Sequence, residues 1–182
     1  MLRNKRLDDA WDDYCWRRDE ELARLDAADP LNMPFPEYLQ YYREDMRHST
    51  PWSRRFAIET PDGRHIGNCM CYDINGLTRE AEIGIMIGLR EFWDHGYGYD
   101  AVVTLTEYCF SAIPLDRLYL HTLDWNIRAQ KCFLKCGYQK VKAVRRQRKS
   151  FLLMELTRSR WEEIRNEKLG LAEPAASSAP ND

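Results

Sequence analysis

Glu82 is a carboxylate placed where an apolar side chain is expected. In Glu80 to Ala101, EAEIGIMIGLREFWDHGYGYDA, residues Ile83, Ile85 and Ile87 share one face of a period-two strand, and Glu82, Gly84 and Met86 share the other. Both faces are mostly apolar, the pattern of a strand central in its sheet. A carboxylate held there can serve as a general base. Past the strand, Gly96 and Gly98 bracket the expected first turn of a helix, where unpaired backbone N–H groups attract anions. Together these residues describe a place for a phosphate-bearing ligand beside a buried acid.

The surrounding elements follow from periodicity and punctuation. A short strand is expected within Met1 to Leu7, then an acid-rich amphipathic helix from Asp8 to Leu25 with Trp11, Tyr14, Cys15, Arg18, Leu22 and Leu25 on one face. Its acids read as a solvated face. After prolines at 30, 34 and 36, a second helix is expected from Pro36 to about Arg47. Phe56 to Thr60 and Arg64 to Ile74 form a hairpin about Pro61-Asp62-Gly63, and Asn75-Gly76 turns the chain into the central strand. A helix from Gly98 to Ile113 stops at Pro114, and Leu118 to Leu123 is a strand. Asn126 caps a helix that ends at Gly137. Tyr138 to Val144 and Phe151 to Leu156 make a last hairpin around the basic run Arg145 to Lys149, and Trp161 to Leu169 a terminal helix. The order β-αα-βββ-α-β-α-ββ describes a mixed α/β fold with a central, mostly antiparallel sheet and a β-α-β-α core. Residues 1–170 form a single domain, and 171–182, rich in Ala, Ser and Pro, a disordered tail.

Composition narrows the function classes. A formal net charge of -2 gives no global attraction to nucleic acid or membrane, and no run is apolar enough to span a bilayer. A cytoplasmic location is expected. The six cysteines lie within strand and helix patterns and read as reduced core residues, so no metal site is assigned to Cys69, Cys71, Cys132 and Cys136. His121, in the middle of a strand, reads as a core histidine. Gly96-x-Gly98-x-x-Ala101 also fits a dinucleotide fingerprint, but Gly88 to His95 is too long a connection for its tight turn.

Three segments, AEIGIMIG, WDHGYGYDA and NIRAQKCFLKCGY, together resemble the GNAT-type N-acetyltransferase superfamily, in the branch of ribosomal-protein N-terminal and spermidine N-acetyltransferases. The resemblance runs from about Arg3 to Leu156. It implies acetyl-CoA as cofactor, with backbone groups of Ile85, Met86 and Ile87 pairing to the pantetheine arm as an added strand. Amides of Trp93, Asp94, His95, Gly96, Tyr97, Gly98 and Tyr99 would cradle the pyrophosphate. Asn126 would bond near the thioester end, with Ala129 and Phe133 as wall. The cation usual in that loop is replaced by Trp93, for which His95 is a substitute. The tyrosine that many relatives use as general acid is replaced by Phe133, with Cys132 or Tyr138 as stand-ins.

The resemblance implies direct acetyl transfer to an amine in a ternary complex, the acceptor being a protein N-terminus, a polyamine or another small amine. Glu82 is the expected base, and its alternative is a structural carboxylate. A strand amide near Met86 or Ile87 would meet the oxyanion. The competing reading, prompted by Trp93 and Phe133, is a non-catalytic acyl-CoA-binding or regulatory module. The last hairpin and terminal helix offer surfaces for a homodimer.

Overall fold

The computed structural model describes residues 1–48 and 50–170; the expected tail lies outside them. Seven strands form one sheet in the order β1-β2-β3-β4-β5-β7-β6. Strands β1 (Leu2–Asn4), β2 (Arg54–Glu59), β3 (His65–Asn75) and β4 (Glu80–Ile87) are antiparallel neighbours. Strand β5 (Arg117–Leu123) joins β4 in parallel, and β7 (Lys149–Thr157) and β6 (Gln139–Arg146) complete the far side as antiparallel strands. Helices α1 (Ala10–Arg18), α2 (Glu20–Leu25) and α3 (Phe35–Arg47) lie between β1 and β2 in the chain. Helix α4 (Tyr97–Ala112) connects β4 to β5, α5 (Ile127–Lys135) connects β5 to β6, and α6 (Arg158–Leu169) follows β7. This is the mixed α/β fold expected, with β4-α4-β5-α5 as its centre. No described helix is long and apolar enough to cross a membrane.

The two faces of β4 are used differently. Ala81 and Ile83 enter the main core with Val102, Leu105 and Cys109 of α4, Leu118 and Leu120 of β5, and Tyr138, Met154 and Leu156. Glu82 points to the opposite face, opposite Tyr72 on β3 and Tyr119 on β5 in the pairing register. The partners of β4 also differ in length. β3 pairs with it from Tyr72↔Glu82 through Gly67↔Ile87, whereas β5 pairs only at Glu80, Ala81 and Glu82. Beyond Glu82 the two parallel strands part, and one edge of β4 is left without a strand partner.

Three local expectations change. The helix expected from Asp8 to Leu25 is a 3₁₀ turn (Leu7–Asp9) and two helices, broken at Asp19, whose extended backbone ends α1 while its carboxylate caps α2 by accepting from the Leu22 N–H at 2.9 Å. Its acids are not all solvated. Asp9 and Asp13 are buried: Arg3 donates twice to Asp9, at 2.7 and 2.9 Å, and Lys5 and Asn68 hold Asp13 at 2.7 and 2.6 Å. Burial alone would raise the Asp9 carboxyl, but the bonds from Arg3 and the Arg6 amide outweigh it and hold it below its ordinary value. The last hairpin extends into the basic run, leaving a two-residue turn at Gln147 and Arg148, both left-handed (φ 47° and 64°).

Candidate active site

The gap between β4 and β5 opens into a cavity of about 320 Å³. Ile85, Met86 and Ile87 form one side, Ala129, Cys132 and Phe133 of α5 another, and Leu22, Leu25 and Asp26 of the α2 region close it. Peptide orientation along β4 decides which backbone groups face it. The Met86 carbonyl points at β3, lying 2.2 Å from where a Gly67 side chain would begin. Because peptide groups alternate along a strand, the N–H and C=O groups of Ile85 and Ile87 are directed to the gap. A ligand arm laid there would find those groups, while Met86 offers its side chain. The Ile87 carbonyl already accepts from the Trp93 indole N–H at 2.8 Å.

At the other end of the cavity the chain turns through two left-handed residues, Asp94 (φ 60°) and Gly96 (φ 87°), into α4. Gly96 is the N-cap and supplies no side chain, so the first amides of this sixteen-residue helix have no side-chain acceptor at the cap. They face a cavity lined by Gly96, Gly98 and Tyr99. A Cβ at Gly98 would meet Cys132 Sγ at 3.7 Å and Ile87 Cγ1 at 4.0 Å, ordinary contacts, so the protein's own packing does not demand glycine. The missing side chain leaves room for something else. An uncapped helix N-terminus opening into such a cleft is fitted to a phosphate.

On the opposite face of β4, Glu82 is buried and accepts from His121 Nδ1 at 2.8 Å. An ionised carboxylate only accepts, so Nδ1 carries the proton and Nε2 is left as the second functional nitrogen. Around the pair stand Tyr119, whose ring meets His121 edge-on with centroids 5.9 Å apart, and Phe151, at 6.4 Å from His121. Burial, and then the Glu82 charge, push the phenols of Tyr72 and Tyr119 upward, so both stay protonated at neutral pH. Asp26 lines the cavity and keeps an exposed surface, and the protein packed around it raises its carboxyl above the ordinary value.

The structure brings Ile85, Met86, Ile87, Trp93, Asp94, Gly96, Gly98, Tyr99, Asn126, Ala129 and Phe133 to one cavity. His95 and Tyr97 are not in its lining: His95 is exposed, and the Tyr97 ring packs edge-on against Phe92, centroids 5.1 Å apart. The Asn126 side-chain oxygen is engaged as the cap of α5, accepting from the Ala129 N–H at 3.2 Å. Tyr138 is buried on the core side, its hydroxyl 3.0 Å from that of Thr106, and cannot stand in for an acid at the cleft. Cys132 lies beside Gly98, at the turn end of the cavity. His121, read from the sequence as a core histidine, has a buried side chain, and its partner is Glu82. Arg128, Lys131 and Lys135 also line the cavity; their spacing of three and four along α5 was the available signal, a cationic stripe on one helix face.

A central strand with a splayed parallel neighbour and an uncapped helix N-terminus thus share one cavity, while Glu82 lies one step before the strands part and is not in the cavity lining. Residues 1–139 match the family model described as an acetyltransferase (GNAT) domain, and the chain belongs to that family. It is 27% identical over 104 residues to the spermidine N(1)-acetyltransferase of Vibrio cholerae, the match covering 57% of this chain and 58% of that protein. It is 31% identical over 87 residues to an uncharacterized N-acetyltransferase of Bacillus subtilis, covering 47% and 49%. These matches thus span about half the length of the curated relatives. A crystal structure of the Vibrio cholerae spermidine N-acetyltransferase with CoA and spermine superposes with a TM-score of 0.79 at 20% identity, covering 89% of this chain and 97% of that one. An aminoglycoside acetyltransferase in complex with coenzyme A gives 0.75 at 18% identity, covering 91% and 98%.

Proposed function

We propose that this protein transfers the acetyl group of acetyl-CoA to an amine, with both substrates bound in the gap between β4 and β5. The observation that carries the reading is the parting of these strands after Glu82, which leaves a strand edge and a helix N-terminus around one opening. The cofactor supplies a thioester, an acetyl group activated toward attack. The chain supplies the rest. Ile85 and Ile87 offer backbone groups to an extended arm, and the first amides of α4 offer donors to its phosphates.

A primary amine is mostly protonated at neutral pH and must lose a proton before it can attack. Glu82 is the proposed acceptor of that proton, directly or through a water, with His121 as the residue that holds the carboxylate in position. Neither Phe133 nor Tyr138 can give a proton to the departing thiolate. A thiol pKa near ~8.5 makes that departure feasible without one. The spermidine N(1)-acetyltransferase of Vibrio cholerae, to which the chain is similar, supports a polyamine as the proposed substrate class.

The test is release of free thiol from acetyl-CoA across spermidine, spermine, a monoamine and a peptide with a free N-terminus, with the acetylated product identified by mass. Faster release with the polyamines than with the monoamine is expected. Tight coenzyme A binding with no release for any amine would favour a binding module.

A further inference from the structure

The anion end of the cleft lacks a cation in its own loop: Trp93 stands where an arginine would serve, and Asp94 beside it carries the wrong sign. The structure brings a cation from elsewhere. The Arg128 guanidinium, in the first turn of α5, sits 3.5 Å from the centroid of the Trp93 ring. That is a close stacking distance for a cation on an indole face. Trp93 is fixed at its ring edge by the bond from Nε1 to the Ile87 carbonyl, 2.8 Å long. A rigid ring therefore holds a flexible arginine at the rim of the cavity that Gly96 and Gly98 also line.

Arg90 approaches the same ring at 5.6 Å, but its charge is committed to Asp19 and Glu21 at 2.7 and 2.8 Å. Among the described residues no carboxylate pairs with Arg128. Stacking uses the face of a guanidinium and leaves its in-plane N–H donors available, and these match a phosphate in geometry and charge. We propose that Arg128, held on Trp93, binds the diphosphate of coenzyme A, so that an arginine–tryptophan stack replaces the loop cation. The inference rests on the cofactor reading above and assigns Arg128 and Trp93 as a coupled pair, one binding and one positioning.

The experiment is calorimetric titration of the full chain and its variants with coenzyme A, dephospho-coenzyme A and pantetheine, folding of each variant being checked by its thermal melt. Loss of a charge-assisted contact predicts that Arg128→Ala weakens both phosphate-bearing ligands by about ten- to a hundred-fold. Pantetheine affinity should not change. Arg128→Lys keeps the charge without the planar donors and should fall between. Trp93→Phe, which keeps a ring but loses the Nε1 tether, should weaken the same two ligands, and the double variant should lose less than the sum of the two. An equal loss for pantetheine would mark a structural role and overturn the proposal. So would a loss confined to coenzyme A, which would place Arg128 on the 3′-phosphate. A parent protein that binds none of the three would overturn the cofactor reading itself, and unchanged affinity in Arg128→Ala would overturn only this inference.

Discussion

Glu82 gains its meaning from what it touches. Glu80, the other acid of the strand, is paired with Arg117, whereas Glu82 takes its bond from the His121 ring. His121→Asn should therefore lower turnover by freeing the carboxylate to reorient, while leaving coenzyme A affinity unchanged; kinetics and calorimetry on the same variant separate the two. Gly96 shows a different constraint. No atom lies within 4 Å of a Cβ built there, so crowding is not the reason for glycine; its φ of 87° is. Gly96→Ala should cost about 1–2 kcal/mol through left-handed backbone alone. The cost would appear as a lower Tm, together with weaker coenzyme A binding as the helix amides shift. Glu82 and both glycines were legible in the sequence because each breaks a local pattern. His121 was not, because a histidine in an apolar strand looks the same whether its neighbour across the sheet is a carboxylate or a carbonyl.

At the scale of elements, the site depends on β4 being held on one side and released on the other. Strand β3 holds it, and α1 packs at its end: a Cβ at Gly88 would sit 2.1 Å from the Trp16 ring. Gly88→Ala should force that ring aside and destabilise the fold by about 1–3 kcal/mol, measured by denaturant unfolding. The N-terminal segment is tied down through Arg3, Asp9 and Glu59, and this tie has a pH signature. The folded Asp9 carboxyl lies below its unfolded value, so its contribution is fully present above an unfolded pKa of about 4 and is lost as pH falls through the lower folded one. Asp9→Asn should lower stability by about 3 kcal/mol at neutral pH and flatten the acid side of the stability curve. The hairpin, the helix-capping asparagine and the glycine turn could all be read from spacing. The burial of Asp9 and Asp13 could not, since their partners Arg3, Lys5 and Asn68 come from two other strands and the segment between them.

At the scale of the whole molecule, one sheet carries a helix-packed core and a cleft that opens beside it where β4 and β5 part, and the cysteines report on both. Cys69, Cys71, Cys109 and Cys136 are buried, and burial pushes the Cys69 thiol up to about 12. Cys15 is exposed and Cys132 is half-buried in the cleft wall. A thiol reagent should label the native protein at Cys15 and Cys132 only, and coenzyme A should protect Cys132 alone. Labelling counted by mass spectrometry checks this, and denaturation should release the other four. The β4-α4-β5-α5 centre was implied by element order and by the resemblance of three short segments, whereas the placing of β7, and not β6, beside β5 was not. What the chain alone did not carry is where β4 and β5 stop pairing, a long-range property that creates the cleft.

The claim on which the account turns is that Glu82 removes the amine proton. Its most direct test is the pH dependence of kcat/KM for the parent and Glu82→Gln with a saturating level of acetyl-CoA. General-base removal should slow the variant by roughly a hundred-fold or more at neutral pH. The difference should then narrow as pH rises toward the acceptor's own pKa near ~10, where neutral amine is plentiful. A variant whose rate and pH profile match the parent throughout would contradict the assignment.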